Sequence, residues 1–114
     1  MDIQNLPETI LIDGDAETRV VYIDGQQLRP DQSLKVRNHS QDGFNWGYGG
    51  SGPAQLALAI CLKYLPEQQA RLIYQAFKFK YVASWASGED FEIKLPLREA
   101  LGELLKDYPE ENAA

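Results

Sequence analysis

The sequence is poor in the residues that most often carry catalysis and metal binding. Among its 114 residues there is one cysteine, Cys61, and one histidine, His39. A lone cysteine cannot close a disulfide within the chain, and inside the apolar run LALAICL we expect it to be a small core residue. A histidine-based metal site or a conventional catalytic triad would need partners at a recognisable spacing, and the sequence offers none. We therefore expect no metal, no cofactor, and a binding protein rather than an enzyme.

Long apolar runs and positive charge are also scarce. No apolar run approaches the roughly 20 residues that cross a bilayer, and the N-terminus has neither the basic nor the apolar region of a signal peptide. We expect a cytoplasmic protein that does not bind membranes. The excess of 17 acidic over 11 basic residues argues against direct nucleic-acid binding through phosphate contacts. Residues 43–86 are the exception, with four basic and one acidic residue, so a bound anion would be least opposed there.

The first half of the chain has the pattern of a small antiparallel sheet. Between residues 9 and 28, β-branched and aromatic residues surround the turn signals Asp13-Gly14 and Asp24-Gly25, which predicts two or three strands. We also expect strands at 33–38 and at 43–50. In the latter segment, aromatic residues alternate with glycine and asparagine.

The second half is mainly helical. Pro53 and Pro66 suit the first turns of two helices, of which the first, AQLALAICLKYL, is apolar on nearly all sides and is therefore predicted to be a core helix. The second helix is predicted to continue to residue 86. A strand, FEIKL, and a last helix after Pro96 follow.

Together these elements predict an α+β fold, a small and mainly antiparallel sheet of three to five strands packed against two or three helices. We expect residues 1–114 to form a single domain, with residues 1–7 and 109–114 as flexible tails.

The segment GYGGSG, residues 47–52, joins a predicted strand to the core helix. Such a corner places unpaired backbone N–H groups at the positive end of a helix dipole, which favours a phosphate or a carboxylate. The letters match G-x-G-x-x-G, but a second helix follows where a dinucleotide-binding fold needs a parallel strand. No lysine follows the glycines as in a P-loop, and Pro53 occupies the position where a nucleophile elbow needs glycine.

Three interpretations of this segment remain open. In the first, the glycines only allow a sharp corner and close packing. In the second, the corner also binds an anionic small molecule or a nucleotide. In the third, the chain is a protein-interaction or inhibitor module whose acidic ends, including Glu99, Glu103 and Asp107, meet a basic partner. The candidate ligand-binding residues for the second interpretation are Asn38, His39, Ser40, Trp46, Tyr48, Gly50, Ser51 and Gly52.

Residues 37–60, RNHSQDGFNWGYGGSGPAQLALAI, resemble a family of small uncharacterised bacterial, plasmid and phage proteins with a domain of unknown function. The signature of that family is N-H-S-x-x-G-F-x-W-G-Y-G-G-S-G-P-A-Q-L-A-L-A. The similarity covers about residues 20–95 and departs where Gln41 replaces an expected proline. The resemblance implies no activity. It suggests a mobile-element or accessory role, for which sequestering a nucleotide signal would be suitable.

Overall fold

The computed structural model describes residues 3–108 as a four-stranded antiparallel sheet with helices packed on one face, which confirms the predicted α+β class. Two short 3-10 helices, Ile3–Asn5 and Val82–Ser84, complete the secondary structure. The strands are β1 (Ile10–Gly14), β2 (Val21–Ile23), β3 (Gln26–Leu28) and β4 (Phe91–Leu95). The helices are α1 (Asp31–Val36), α2 (Ser51–Tyr64), α3 (Glu67–Lys80) and α4 (Leu97–Leu105).

The strand order is β3-β2-β1-β4, so the strand nearest the C-terminus pairs with the first strand. The turn between β2 and β3 is formed by Asp24 and Gly25, whose φ angles of 50° and 82° are those of a tight two-residue hairpin. Strand alternation buries Ile10 and Ile12 against the helices and leaves Leu11 on the opposite, solvent-exposed face.

Helix α2 is the centre of the core. Every residue from Gly52 to Cys61 is buried, which confirms the prediction of a core helix. The helix lacks a wide polar face because α1 and α3 pack against it and the sheet lies beneath. Pro66 precedes α3, as predicted from its restricted φ.

Two predicted strands are wrong. Residues 31–36 form α1, because Pro30 and Asp31 start a helical turn in which the Ser33 hydroxyl donates a hydrogen bond to the Pro30 carbonyl. Residues 43–50 contain no strand, because Gly43 and Gly47 have φ angles of 101° and 84°, which an extended strand cannot accommodate.

The predicted end of α3 is also wrong: the helix stops at Lys80 and a 3-10 turn follows. This break allows the Val82 carbonyl to accept a hydrogen bond from the Gly47 N–H and lets Trp85 stack on Phe91.

Of the tails predicted to be flexible, residues 1–2 and 109–114 lie outside the described residues. Leu6 is buried, and its carbonyl accepts two hydrogen bonds from the Arg98 guanidinium. None of the helices within residues 3–108 is long and apolar enough to span a membrane.

Candidate functional site

The glycines at the start of α2 are explained by close packing. Gly47 has a φ of 84°, and a Cβ at this position would lie 2.4 Å from the Cα of Ser87. At Gly50 an added Cβ would lie 2.5 Å from the Tyr48 ring, and at Gly52 it would lie 2.6 Å from the Cβ of Asn45. Close packing around this corner therefore accounts for the glycines, as in the interpretation that they only allow a sharp corner. Evidence for a bound ligand must come from other features.

The first of these features is a set of backbone amides without acceptors. Helix α2 begins after Gly50 with no side-chain cap, and its first N–H to reach a carbonyl is that of Ala54, which donates to Gly50. Within residues 3–108 the N–H groups of Gly50, Ser51 and Gly52 have no acceptor. Ser51 is exposed, Gly50 is partly buried and Gly52 is buried. Because α2 is 14 residues long, these donors lie at the positive end of a full-length helix dipole.

The second feature is Lys78, a buried lysine beside the same corner. The residue is 6% exposed, and its Nζ donates to the Gly49 carbonyl at 3.0 Å. The Nζ also lies 3.9 Å from the centroid of the Phe79 ring. In the part of the chain that the structure describes, no carboxylate pairs with it. Because buried ammonium groups are normally paired, Lys78 contributes a positive charge that lacks a counter-ion.

On a helix, the alternating segment FKFKY, residues 77–81, predicts lysines that face solvent and aromatic residues that lie in the core. That assignment is wrong for Lys78, and it is also wrong for Phe79, which is 64% exposed. The helical period contained the correct signal: Lys78 lies four residues after Tyr74, on the buried face of α3.

The predicted residues His39 and Ser40 lie beside the first turns of α2. Both backbone N–H groups donate to the side-chain oxygen of Gln55, at 2.7 and 3.1 Å. The His39 Nε2 lies 2.6 Å from the Tyr74 hydroxyl. Gln55 lies four residues, about one helical turn, after Ser51. Tyr74 lies the same distance before Lys78. Of the other candidates, Asn38 is exposed and donates no hydrogen bond to any residue between 3 and 108.

His39 lies in a positively charged environment. Partial burial lowers the pKa of its imidazole, and the charges of Arg37 and Lys78 lower that pKa further. The ring is therefore neutral at pH 7. An anion held near Lys78 would offset these charges.

Trp46 does not belong to an accessible site. Its side chain is 1% exposed, its ring N–H donates to the Glu89 carbonyl at 2.9 Å, and it packs edge-on against Phe91. The expectation that Trp46 binds a ligand is therefore corrected, because the ring is enclosed by the core. Tyr48, in contrast, is 44% exposed and lies across Gly50, while Phe79 lies against Gly49.

No group of three or more His, Cys, Asp and Glu side chains within residues 3–108 is placed to hold a metal ion. Burial raises the pKa of the Cys61 thiol, so this residue stays protonated and unreactive in the core.

The model of a family of unknown function, DUF6166, matches residues 12–101, and the chain belongs to this family. The matched region extends from β1 into α4 and includes the corner described above. No curated protein and no solved structure matches the chain.

Proposed function

We propose that this member of the family binds a phosphate-bearing small molecule, such as a nucleotide, at the start of α2. The proposal rests on one observation: the N–H groups of Gly50, Ser51 and Gly52 have no acceptor among residues 3–108, and the buried residue Lys78 is bonded through its ammonium to the Gly49 carbonyl of the same corner. Phosphate oxygens would accept hydrogen bonds from these amides and would supply the counter-ion that Lys78 lacks.

The position of Lys78 suits this role. One of its three N–H donors is used by the Gly49 carbonyl, which fixes the ammonium against the loop. The other two donors remain for an anion. Because the residue is buried, solvent would screen the attraction less than at an exposed lysine.

The aromatic side chains favour a nucleotide over a bare phosphate. Tyr48 and Phe79 are both exposed, and their rings lie against Gly50 and Gly49 respectively. An exposed ring beside a phosphate site offers a flat apolar surface to a nucleobase. In the proposed site Tyr48, one of the candidates, is joined by Phe79 as a stacking partner, and Trp46 takes no part.

We propose binding rather than catalysis because the donors at this corner are backbone amides and a fixed cation. The imidazole of His39, the only histidine of the chain, is engaged with the Tyr74 hydroxyl. Sequestration of a nucleotide by a plasmid or phage accessory protein is the biological role that fits such an activity, and it forms part of the proposal.

The test is a titration of 15N-labelled protein with ATP and, separately, with inorganic phosphate. The amide resonances of Gly50, Ser51 and Gly52 should shift first, and a ligand at 100 times its Kd should stabilise the fold by about 2.7 kcal/mol. The variant Lys78→Met removes the charge with little change in volume and should abolish binding. Lys80→Met removes the same charge from an exposed position of the same helix and should bind as the wild type does.

Three results would contradict the proposal. The first is the absence of any amide shift with phosphate and with a panel of nucleotides, which would leave only the structural corner. The second is an equal loss of binding in the Lys78 and Lys80 variants, which would indicate unspecific attraction. The third is a set of shifts centred elsewhere in the chain. Weaker binding of ATP, but not of phosphate, in Tyr48→Ala or Phe79→Ala would assign the stacking role.

A further inference from the structure

Strand β4 forms an open edge of the sheet. Its hydrogen-bonded neighbour is β1, and no strand within residues 3–108 lies on its other side. An edge strand presents unpaired backbone groups on which another strand can add.

The hydrogen bonds of Leu11 show to which side of β1 each backbone N–H and carbonyl group points. Its N–H donates to the Asp24 carboxylate at 2.9 Å, and its carbonyl accepts from the Asp24 N–H at 2.8 Å, so both groups of Leu11 point to the β2 side. Because successive residues of a strand point their backbone groups to opposite sides, Ile10 and Ile12 direct theirs toward β4.

The register with β1 shows which backbone N–H and carbonyl groups of β4 point to the open edge. Ile12 is paired with Ile93, so the backbone groups of Ile93 are used by β1. Those of Glu92 and Lys94, one residue to either side, point to the open edge. The edge therefore offers two N–H and two carbonyl groups, symmetrically placed about Ile93.

We propose that β4 pairs antiparallel with β4 of a second copy of this chain, about a two-fold axis at Ile93, to form one continuous sheet. In this register Glu92 of each copy lies opposite Lys94 of the other, and these residues exchange backbone hydrogen bonds. A two-fold axis requires that each contact occurs twice with the partners exchanged. The segment FEIKL meets that condition, because Glu92 and Lys94 lie one residue to either side of Ile93.

Charge complementarity on the outer face of the sheet supports a second copy as the occupant. The side chains of Glu92 and Lys94 are exposed there, and neither makes an ion pair with any residue from 3 to 108. Within one copy, Glu92 lies opposite Asp13 in the register, a like-charge pair that is unfavourable. The second copy would place an ammonium group on the other side of Glu92.

The apolar face of the strand is consistent with the same arrangement. Phe91 and Leu95 are buried, whereas Ile93, which faces the same way, is only partly buried. The two-fold axis would place the two Ile93 side chains side by side and cover the apolar surface that each leaves exposed.

The test is sedimentation velocity of the full chain over a range of concentrations. The wild type should show a concentration-dependent monomer–dimer equilibrium. Lys94→Glu and Glu92→Lys each place like charges opposite one another twice per dimer, and each should weaken dimerisation at least about tenfold. The double variant Glu92→Lys/Lys94→Glu restores opposite charges and should dimerise as the wild type does. An equimolar mixture of the two single variants should form a heterodimer.

A disulfide cross-link between two copies tests whether the two-fold axis lies at Ile93. Paired residues that do not exchange hydrogen bonds have Cα atoms about 4.5 Å apart, within the range of a disulfide. Ile93→Cys should therefore give an oxidised dimer. Leu11→Cys, exposed on the central strand β1, should not, and the buried Cys61 does not compete.

Circular dichroism of every variant should match that of the wild type, so that loss of the dimer is separated from loss of the fold. A wild type that stays monomeric at millimolar concentration would overturn the proposal. A dimer that is insensitive to both single charge reversals, or that the double variant fails to restore, would also overturn it, because the interface would then lie elsewhere.

Discussion

The side-chain oxygen of Gln55 lies 2.7 Å from the backbone nitrogen of His39 and joins the core helix to the segment before the glycine-rich corner. The same oxygen accepts from the Ser40 N–H, and the side-chain nitrogen donates to the Ser33 hydroxyl and the Arg37 carbonyl. Gln55 is fully buried in an otherwise apolar stretch of α2. Its four hydrogen bonds therefore fix how α1 and residues 37–40 are held against the core.

Replacing Gln55 with Met should lower the free energy of unfolding by about 3 kcal/mol or more. Methionine has a similar length but forms none of the four hydrogen bonds, so two amides and a carbonyl would lose their partner, and the Ser33 hydroxyl would keep only its bond to Pro30. Urea unfolding followed by circular dichroism measures the change. Gln32→Met, at an exposed position of α1, is the control and should change stability by less than about 0.5 kcal/mol. A loss below about 1 kcal/mol at Gln55 would show that water replaces these bonds.

Gly47→Ala should be among the most destabilising substitutions in the corner. Alanine at this position combines a positive φ with a Cβ that would meet backbone atoms of Ser87, so the backbone must shift and the Gly47–Val82 hydrogen bond is lost. We expect a loss of about 3 kcal/mol or more.

Gly88→Ala is the matched control for Gly47. Gly88 also has a positive φ, 72°, but an added Cβ there meets no atom within 4 Å. Its cost should be limited to the conformational term of about 1 kcal/mol. Equal losses at the two positions in thermal and urea unfolding would mean that the contact with Ser87 contributes nothing.

The parts of the fold that the sequence predicts are those specified by local signals. Asp24-Gly25 forms the expected hairpin because both residues tolerate a positive φ, and α2 and α3 start near Pro53 and Pro66 as expected. The alternating aromatic residues of 43–50 predict a strand that the structure does not contain. The burial of Phe44 and Trp46 agrees with that alternation, but the glycines between and around them turn the chain away from the sheet.

The residues that define the candidate site depend on contacts between distant segments, which local patterns do not encode. Lys78 is buried because the loop at Gly49 covers it, 29 residues away along the chain. The hydrogen-bond partners of the Gln55 side chain lie 15 to 22 residues earlier in the chain. A single glutamine within a nearly all-apolar helix was the available signal for a buried hydrogen-bonding role.

Lys78→Met should stabilise the ligand-free protein by about 1 kcal/mol. The substitution removes a buried charge that has no counter-ion, and the Gly49 carbonyl that it releases belongs to an exposed residue and can bind water. Differential scanning calorimetry of the variant beside Lys80→Met, which should be nearly neutral, measures the effect. A destabilised Lys78 variant would mean that the Gly49 bond and the contact with Phe79 outweigh the cost of burial. A stabilised variant that no longer binds ATP would indicate that the charge is retained for function.

The stability of the fold should decrease through His39 in the pH range below about 6.5, the ordinary pKa of histidine. Because burial and the charges of Arg37 and Lys78 lower the pKa of His39 in the folded state, the unfolded chain takes up the proton first as the pH falls. Well above pH 6.5 both states are neutral and His39 makes no pH-dependent contribution. Asp15 and Glu103, whose pKa values are lowered, affect stability only in the more acidic range. Urea unfolding should therefore show a slope in this window for the wild type and a flatter line for His39→Gln.

The titration of His39 also offers an independent test of phosphate binding at the corner. His39 is the only histidine of the chain, so its ring protons can be followed alone by NMR as the pH is varied. If phosphate binds beside Lys78, it offsets the positive charges that lower the pKa of His39, and the titration midpoint should move up toward the ordinary value of about 6.5. In Lys78→Met the midpoint should already be higher without phosphate, because one of those charges is missing, and phosphate should move it no further. An unchanged midpoint in the wild type at saturating phosphate would place the anion, if bound, away from this corner.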